Sequence, residues 1–142
     1  MSLFNVMNVA GSALAAQSIR LNTTASNMAN ANSASSSIES TYRARHPVFM
    51  PAVDETLDFD LDSDAGVGVD VAGVIESQAP LRREYQPGHP LADESGYVFM
   101  PNVNVVEEMA NMISASRSYQ TNIEIMEASK QMLTRTLALG QS

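Results

Sequence analysis

The sequence predicts an α+β protein with long N- and C-terminal α-helices, paired as an antiparallel coiled coil, and a small β-rich middle region. All six prolines of the 142-residue chain lie between positions 47 and 101. Because proline removes a helical donor and clashes with the preceding turn, long helices are expected only in the flanks. Each flank carries a seven-residue repeat, and the middle alternates apolar and polar residues. We therefore divide the chain into residues 1–34, 35–101 and 102–142.

The N-terminal flank carries a heptad row and a weaker companion row. The main row consists of Met7, Leu14, Leu21 and Met28. The companion row consists of Leu3, Ala10, Gln17 and Thr24. This spacing predicts a helix with a coiled-coil seam, although an ordinary amphipathic helix on a globular core has the same pattern. The serine-rich stretch NSASSSIES is expected to end the helix.

The C-terminal flank shows a stronger repeat. One row consists of Met112, Tyr119, Met126 and Leu133. The other consists of Met109, Ser116, Ile123, Lys130 and Leu137. Asn104 followed by Glu107 is typical of a capping box, and Gly140 suits a helix C-terminus. We predict one helix over residues 104–138, roughly 50 Å long at ~1.5 Å per residue. That length is typical of a coiled coil or an extended assembly.

The middle region is expected to contain strands and turns. Apolar and acidic residues alternate in TLDFDLD, with Leu57, Phe59 and Leu61 on one side. Valines alternate in GVGVDVAGVI, and GYVFM at 96–100 is a short apolar strand candidate. The stretch QPGHP predicts a turn.

Charge and composition restrict the function. The net charge is −8 with eight basic residues, so nucleic acid and anionic membrane surfaces are poor candidate partners. The chain has no cysteine, which excludes disulfides and thiolate metal sites. No stretch approaches the ~20 apolar residues of a membrane span. The N-terminus also lacks the basic leader of a signal peptide. We expect a cytoplasmic protein, or one exported by a route that does not read such a peptide.

Sequence motifs do not indicate an enzyme, a cofactor or a metal site. DFDLDSDAG resembles a calcium loop, but counting from Asp60 places Ala65 and Val71 where glycine and glutamate are required. The histidines His46 and His89 form no zinc-binding spacing. A nucleophile motif and a phosphate-binding glycine loop are also missing from the sequence. We therefore expect a non-catalytic protein without cofactors.

The stretch RLNTTASNMANANSASSS is polar but carries no charge after Arg20. A solvent-facing helix usually has charged residues on its outer face. Small uncharged side chains allow close helix approach and avoid the cost of burying ions, which is several kcal/mol each. The antiparallel partner helix covers only one side. We therefore expect residues 1–34 to be enclosed by helices of other subunits.

The stretches that support this interpretation also resemble a known family. SALAAQSIRLNTTASNMANANS resembles the N-terminal motif of the flagellar axial proteins, and NVNVVEEMANMISASRSYQTNIEIMEASKQML resembles their C-terminal motif. YRARHPVF and PGHPLADESGYVFMPNVNVVEEM are similar, within that family, to a proximal rod protein. The likeness covers about residues 10–50 and 80–142.

The resemblance implies a structural subunit of the flagellar basal-body rod, which transmits torque. It further implies assembly with itself and other rod proteins, and export by the flagellar type III apparatus without a cleaved signal. The terminal helices would form the axial core domain, with the seam residues at the assembly interface. Two alternatives stay open: another rod or hook-junction protein, or a soluble coiled-coil adaptor.

Overall fold

The computed structural model describes residues 3–52 and 67–140 and has the expected α+β architecture. Two long helices enclose four short strands in chain order. The elements are α1 (Leu3–Asn30), β1 (Arg45–Ala52), β2 (Gly68–Glu76), β3 (Arg82–Tyr85), β4 (Tyr97–Met100) and α2 (Val105–Leu139).

The two helices end where polar side chains bind the terminal backbone groups. The side-chain amide of Asn30 donates to the backbone carbonyl of Ser26, and the Ser33 hydroxyl donates to the backbone carbonyl of Asn30. Such bonds compete with helix continuation, which explains why α1 stops four residues before the expected boundary at 34. At the other helix, the side chain of Asn104 accepts a hydrogen bond from the Val106 amide, as the capping pattern predicted.

The helices run antiparallel, as three positions along them show. The guanidinium of Arg20 donates to Asn111 Oδ1 at 3.0 Å, and Asn27 Nδ2 donates to Glu108 Oε1 at 3.1 Å. Farther down, Gly11 lies against the methyl group of Met126. Partners on α2 therefore rise in number as those on α1 fall, and the last residues of α2 extend beyond Leu3, where the described part of α1 begins.

The strands form two separate antiparallel sheets. β1 and β2 pair from Arg45↔Glu76 to Ala52↔Gly68, with a bulge at Val48/Phe49; we name this pair the β1–β2 ribbon. β3 and β4 pair from Arg82↔Met100 to Tyr85↔Tyr97.

Two of the four strands were predicted and two were not. The valine alternation and GYVFM correspond to β2 and β4, and QPGHP forms a turn. β1 was missed because it contains Pro47 and Pro51, and β3 because it consists of polar and charged residues. The TLDFDLD stretch and the rejected calcium loop include residues that lie outside the described part of the chain.

Among the described residues, the buried apolar core is small and built mainly from alanine. Its members, by burial, are Ala10, Ala16, Ala31, Ala44, Val98, Met100, Val103 and Ala115. Such small side chains let the helices and the ribbon approach closely. Among the helices described, none is long and apolar enough to cross a membrane.

Candidate assembly surface

The predicted seam of α1 faces α2 within the chain. Its main row, Met7, Leu14, Leu21 and Met28, is half-buried, as is Leu3. In the companion row, Ala10 and Thr24 are fully buried. Gln17 Oε1 is buried without a hydrogen-bond partner among the described residues. The structure therefore places this seam between the two helices of one chain.

On α2, the contact face is rotated by one residue from the predicted companion row. Met112, Tyr119, Met126 and Leu133 are half-buried. The row beside them is Glu108, Ala115, Asn122 and Ser129, three of which are buried. Met109 and Ile123 are instead exposed, Met109 by 50%. Small side chains at 115 and 129 permit close helix packing, whereas the sequence reasoning selected the larger apolar residues at neighbouring positions.

Leu137 lies outside the intrachain seam for a different reason. Its side chain is 67% exposed. The helix pairing given above brings the start of α1 close to residues 128–134, so the final turn of α2 extends past its partner.

The outer side of α1 is an exposed stripe without charge. Its residues recur at helical spacing and are mostly small; we name them the α1 outer stripe: Phe4, Asn8, Ala15, Ser18, Asn22, Ala25 and Ala29. The single charged residue of α1, Arg20, lies to one side and binds Asn111. An exposed helix face normally carries charged residues, so this stripe is atypical of a surface that stays in water.

The β1–β2 ribbon covers another side of α1, which corrects the expectation that only α2 covers this helix within the chain. The Ser12 hydroxyl accepts a hydrogen bond from the Val69 amide at 3.0 Å, and Asn27 binds the backbone of Arg45. Ala16, between these two contacts, is 2% exposed. Most of the exposed residues in the described part of α1 lie in the α1 outer stripe.

A buried polar cluster joins the ribbon to both helices. The carboxamide of Asn27 is fully buried and accepts a hydrogen bond from the Tyr42 hydroxyl at 2.9 Å. The guanidinium of Arg45 lies 5.4 Å from the centre of the Tyr42 ring. Burial raises the pKa of Tyr42 above its ordinary value of 10.0, against the opposing effect of Arg45. The hydroxyl therefore stays protonated and can donate.

Sequence reasoning missed these polar residues. Asn27, Asn102 and Ser12 bind backbone groups of segments distant in sequence, and Tyr42 binds the side chain of Asn27. The sequence indicates Asn27 only by its position. It directly precedes the seam residue Met28, on a side of α1 that pairing with α2 alone would leave uncovered.

A second exposed apolar area lies at the start of α2. Val106, Met109 and Ile113 share its side opposite the α1 contact, with Val106 76% exposed. Farther along the same side lie Gln120, Glu124 and Glu127, which are also exposed. The apolar part of this face is thus confined to the first turns. The described residues contain no group of three or more potential metal ligands.

Comparison with known proteins identifies the family. A family model described as "Flagella basal body rod protein" matches residues 7–34. Another, described as "Flagellar basal body rod FlgEFG protein C-terminal", matches residues 94–139. Flagellar basal-body rod protein FlgC of Salmonella typhimurium is 55% identical, over 99% of this chain and 100% of the relative.

This chain belongs to the FlgC family of flagellar basal-body rod proteins. FlgC of Escherichia coli is 52% identical, over 99% of this chain and 100% of its own length. FlgC of Borreliella burgdorferi is 38% identical, over 99% of each chain. The predicted family and the structural role in the rod are confirmed, and the FlgC family places the protein in the flagellar basal body.

Proposed function

We propose that this rod protein assembles with neighbouring subunits through the α1 outer stripe, and that its role is structural and not catalytic. The absence of charge from an exposed stripe of a long helix carries the proposal. In the free chain such a stripe has no local reason to exclude charge, because exposed ions are well hydrated. In an assembly it has one, since each unpaired ion would lose its hydration at a cost of several kcal/mol.

The predicted seam residues have two different roles in this assembly. Those between α1 and α2 hold the chain's own helices together and act on the assembly indirectly; they are Leu3, Met7, Leu14, Leu21, Met28, Met112, Tyr119, Met126 and Leu133. Met109, Ile123 and Leu137 are exposed and contact neighbouring subunits directly. Exposed apolar groups on a helix of a soluble monomer gain stability when a partner covers them.

The chain's parts then have separate tasks. Residues 1–34 and 102–142 form the axial core domain, which stacks in the proximal rod with further copies and other rod proteins. The described parts of the middle region, residues 35–52 and 67–101, are held on the side of that core. Export through the flagellar type III apparatus, without a cleaved signal, delivers the chain to the assembly. Its partners are therefore proteins; it binds no nucleic acid and does not insert into a membrane.

Cross-linking from single cysteines tests the assembly surface. The chain has no native cysteine, so each introduced thiol is unique. We expect Ser18→Cys, in the α1 outer stripe, to cross-link to a neighbouring rod subunit in purified basal bodies. Glu94→Cys, at an exposed position of the middle region, serves as the matched control and should cross-link far less. Equal yields at both positions would contradict the proposed surface.

Export is tested separately. The secreted chain should depend on a working flagellar export apparatus, and mass spectrometry should show an N-terminus from which no leader peptide has been removed. Secretion without that apparatus would refute the export route while leaving the assembly surface open to its own test.

A further inference from the structure

The carboxamide of Asn27 joins three elements at one point. Its Nδ2 donates to the Arg45 carbonyl at 2.8 Å and to Glu108 Oε1 at 3.1 Å. Its Oδ1 accepts from the Arg45 amide and from the Tyr42 hydroxyl, both at 2.9 Å. All four bonds lie at a residue that is fully buried. The side chain thus pairs with both backbone groups of Arg45, as a neighbouring strand would.

The orientation of this amide is determined by its partners. A backbone N–H can only donate, whereas a carbonyl and a carboxylate can only accept. Rotating the amide by 180° would place Oδ1 against the Arg45 carbonyl and Glu108, and Nδ2 against the Arg45 N–H. Only one orientation satisfies the partners, and in that orientation one amide hydrogen serves the ribbon while the other serves α2.

Glu108 needs this bond because its side chain is 4% exposed. A buried carboxylate without a donor costs far more than a neutral group. When the ribbon is in place, Arg45 holds the Asn27 amide so that an N–H points to Glu108. When α2 is in place, Glu108 holds the same amide so that the other N–H points to Arg45. Each contact therefore pre-organises the other.

We propose that Asn27 is a positioning residue that couples docking of the β1–β2 ribbon on α1 to pairing of α1 with α2. The coupling is reciprocal, as any linkage between two equilibria must be. Its consequence is that the ribbon docks more strongly on a paired helix hairpin than on α1 alone. This coupling lies within one chain, so it stands or fails independently of the assembly surface proposed above.

Docking of the ribbon on α1 can be measured at Val69, which is remote from Asn27. The Val69 amide binds Ser12 Oγ at the opposite end of the ribbon. From Ser12 to Asn27, α1 rises about 22 Å at ~1.5 Å per residue. From Arg45 to Ala52, β1 spans about 23 Å at ~3.3 Å per residue. These matching lengths explain how the ribbon is held at both ends, and they make Val69 a reporter of docking.

Glu108→Ala, with Glu107→Ala as control, tests the coupling by amide hydrogen exchange in the full chain. Glu107 is adjacent to Glu108 but exposed. We expect Glu108→Ala to accelerate exchange at Val69 by roughly ten- to a hundredfold, the range that loss of a buried hydrogen-bond partner implies. It should also accelerate exchange at Ala115, a buried residue of α2. Glu107→Ala, which removes an exposed side chain, should accelerate exchange at both amides far less. Unchanged exchange at Val69 in Glu108→Ala would overturn the proposal.

The second test exchanges the hydrogen-bond donor and acceptor between positions 27 and 108. Asn27→Asp removes both N–H donors, so Val69 and Ala115 should both exchange faster. Adding Glu108→Gln supplies a donor from α2 to the new carboxylate, but none for the Arg45 carbonyl. We expect Ala115 to recover while Val69 stays fast. Failure of Ala115 to recover would show that the 27–108 bond is not the link.

A cross-link that holds α1 against α2 provides a third test. It is needed if the amides of Val69 and Ala115 exchange without protection in the free chain. Arg20 and Asn111 are in contact, so Arg20→Cys and Asn111→Cys can be joined by a short bifunctional reagent. The cross-linked chain should then protect both amides. Protection of Ala115 alone would refute the coupling.

Discussion

Ala25→Glu places one carboxylate in the C-terminal half of the α1 outer stripe. In the free chain this position is exposed, and glutamate is a good helix former, so we expect the free energy of unfolding to change by no more than about 0.5 kcal/mol. In the assembly the same carboxylate would lie against a neighbouring helix. Removing an unpaired ion from water costs several kcal/mol, and ~1.4 kcal/mol already changes an association constant tenfold. A cost of about 3 kcal/mol would weaken the contact roughly 150-fold.

Two control variants separate charge from size and from position. Ala25→Gln has nearly the same shape as Ala25→Glu but no charge, and we expect it to assemble much better. Ser95→Glu adds the same charge at an exposed position of the middle region, beside Glu94, and should assemble normally. The assays are swimming motility, recovery of the chain in purified basal bodies, and thermal unfolding of the free chain. Normal motility and assembly of Ala25→Glu would show that the stripe is not enclosed, and the proposed surface would be wrong.

Three further predictions concern contacts within the chain. Gly68→Ala should undock the ribbon, because the added Cβ would lie 2.8 Å from Ser12 Oγ; Ser12→Ala should relieve that clash, so the double variant should be no less stable than Ser12→Ala alone, as measured by denaturant unfolding. Asn104→Ala should cost about 1 kcal/mol of stability by removing the cap of α2, and an undiminished denaturation midpoint would exclude that role. The raised pKa of Tyr42 means that its stabilising contribution is present below pH 10.0 and is lost as pH rises through its folded-state pKa; Tyr42→Phe should therefore show a smaller loss of stability at alkaline pH than the unaltered chain, and equal losses would contradict this assignment.

The sequence was sufficient for the helices because their signals are local and repeated. The seven-residue spacing identifies α1 and α2 even when their first and last residues are not known. The prolines mark the segment between the two helices. The α2 row through Met109 lies to one side of the α1 contact, because positions 108 and 109 differ by 100° around a helix and Met109 is the more apolar residue. Its neighbour Glu108 turns inward because Asn27 supplies a donor, and that contact joins residues 81 positions apart in sequence.

Local sequence patterns were less informative for the strands than for the helices. β1 carries two prolines and still pairs with β2, because it lies in a two-stranded sheet where proline is tolerated. Nor does any local pattern indicate that the ribbon packs along α1. That arrangement depends on single polar contacts, such as Ser12 with Val69, which periodicity cannot reveal.

Polar residues on and beside the outer side of α1 are suited to burial because several satisfy their own donors within the helix. The hydroxyl of Thr23 donates to the Ile19 carbonyl, and that of Ser26 donates to the Asn22 carbonyl. At the helix end, Asn30 Nδ2 donates to the Ser26 carbonyl. A donor that is already bonded loses less when water is removed than one that depends on water. Such side chains therefore keep the free chain polar while lowering the cost of covering it with a neighbour. Charged residues could not do both, because an ion keeps most of its hydration cost even when it is hydrogen-bonded. This difference gives a physical reason for α1 to be rich in serine, threonine and asparagine but almost free of charge.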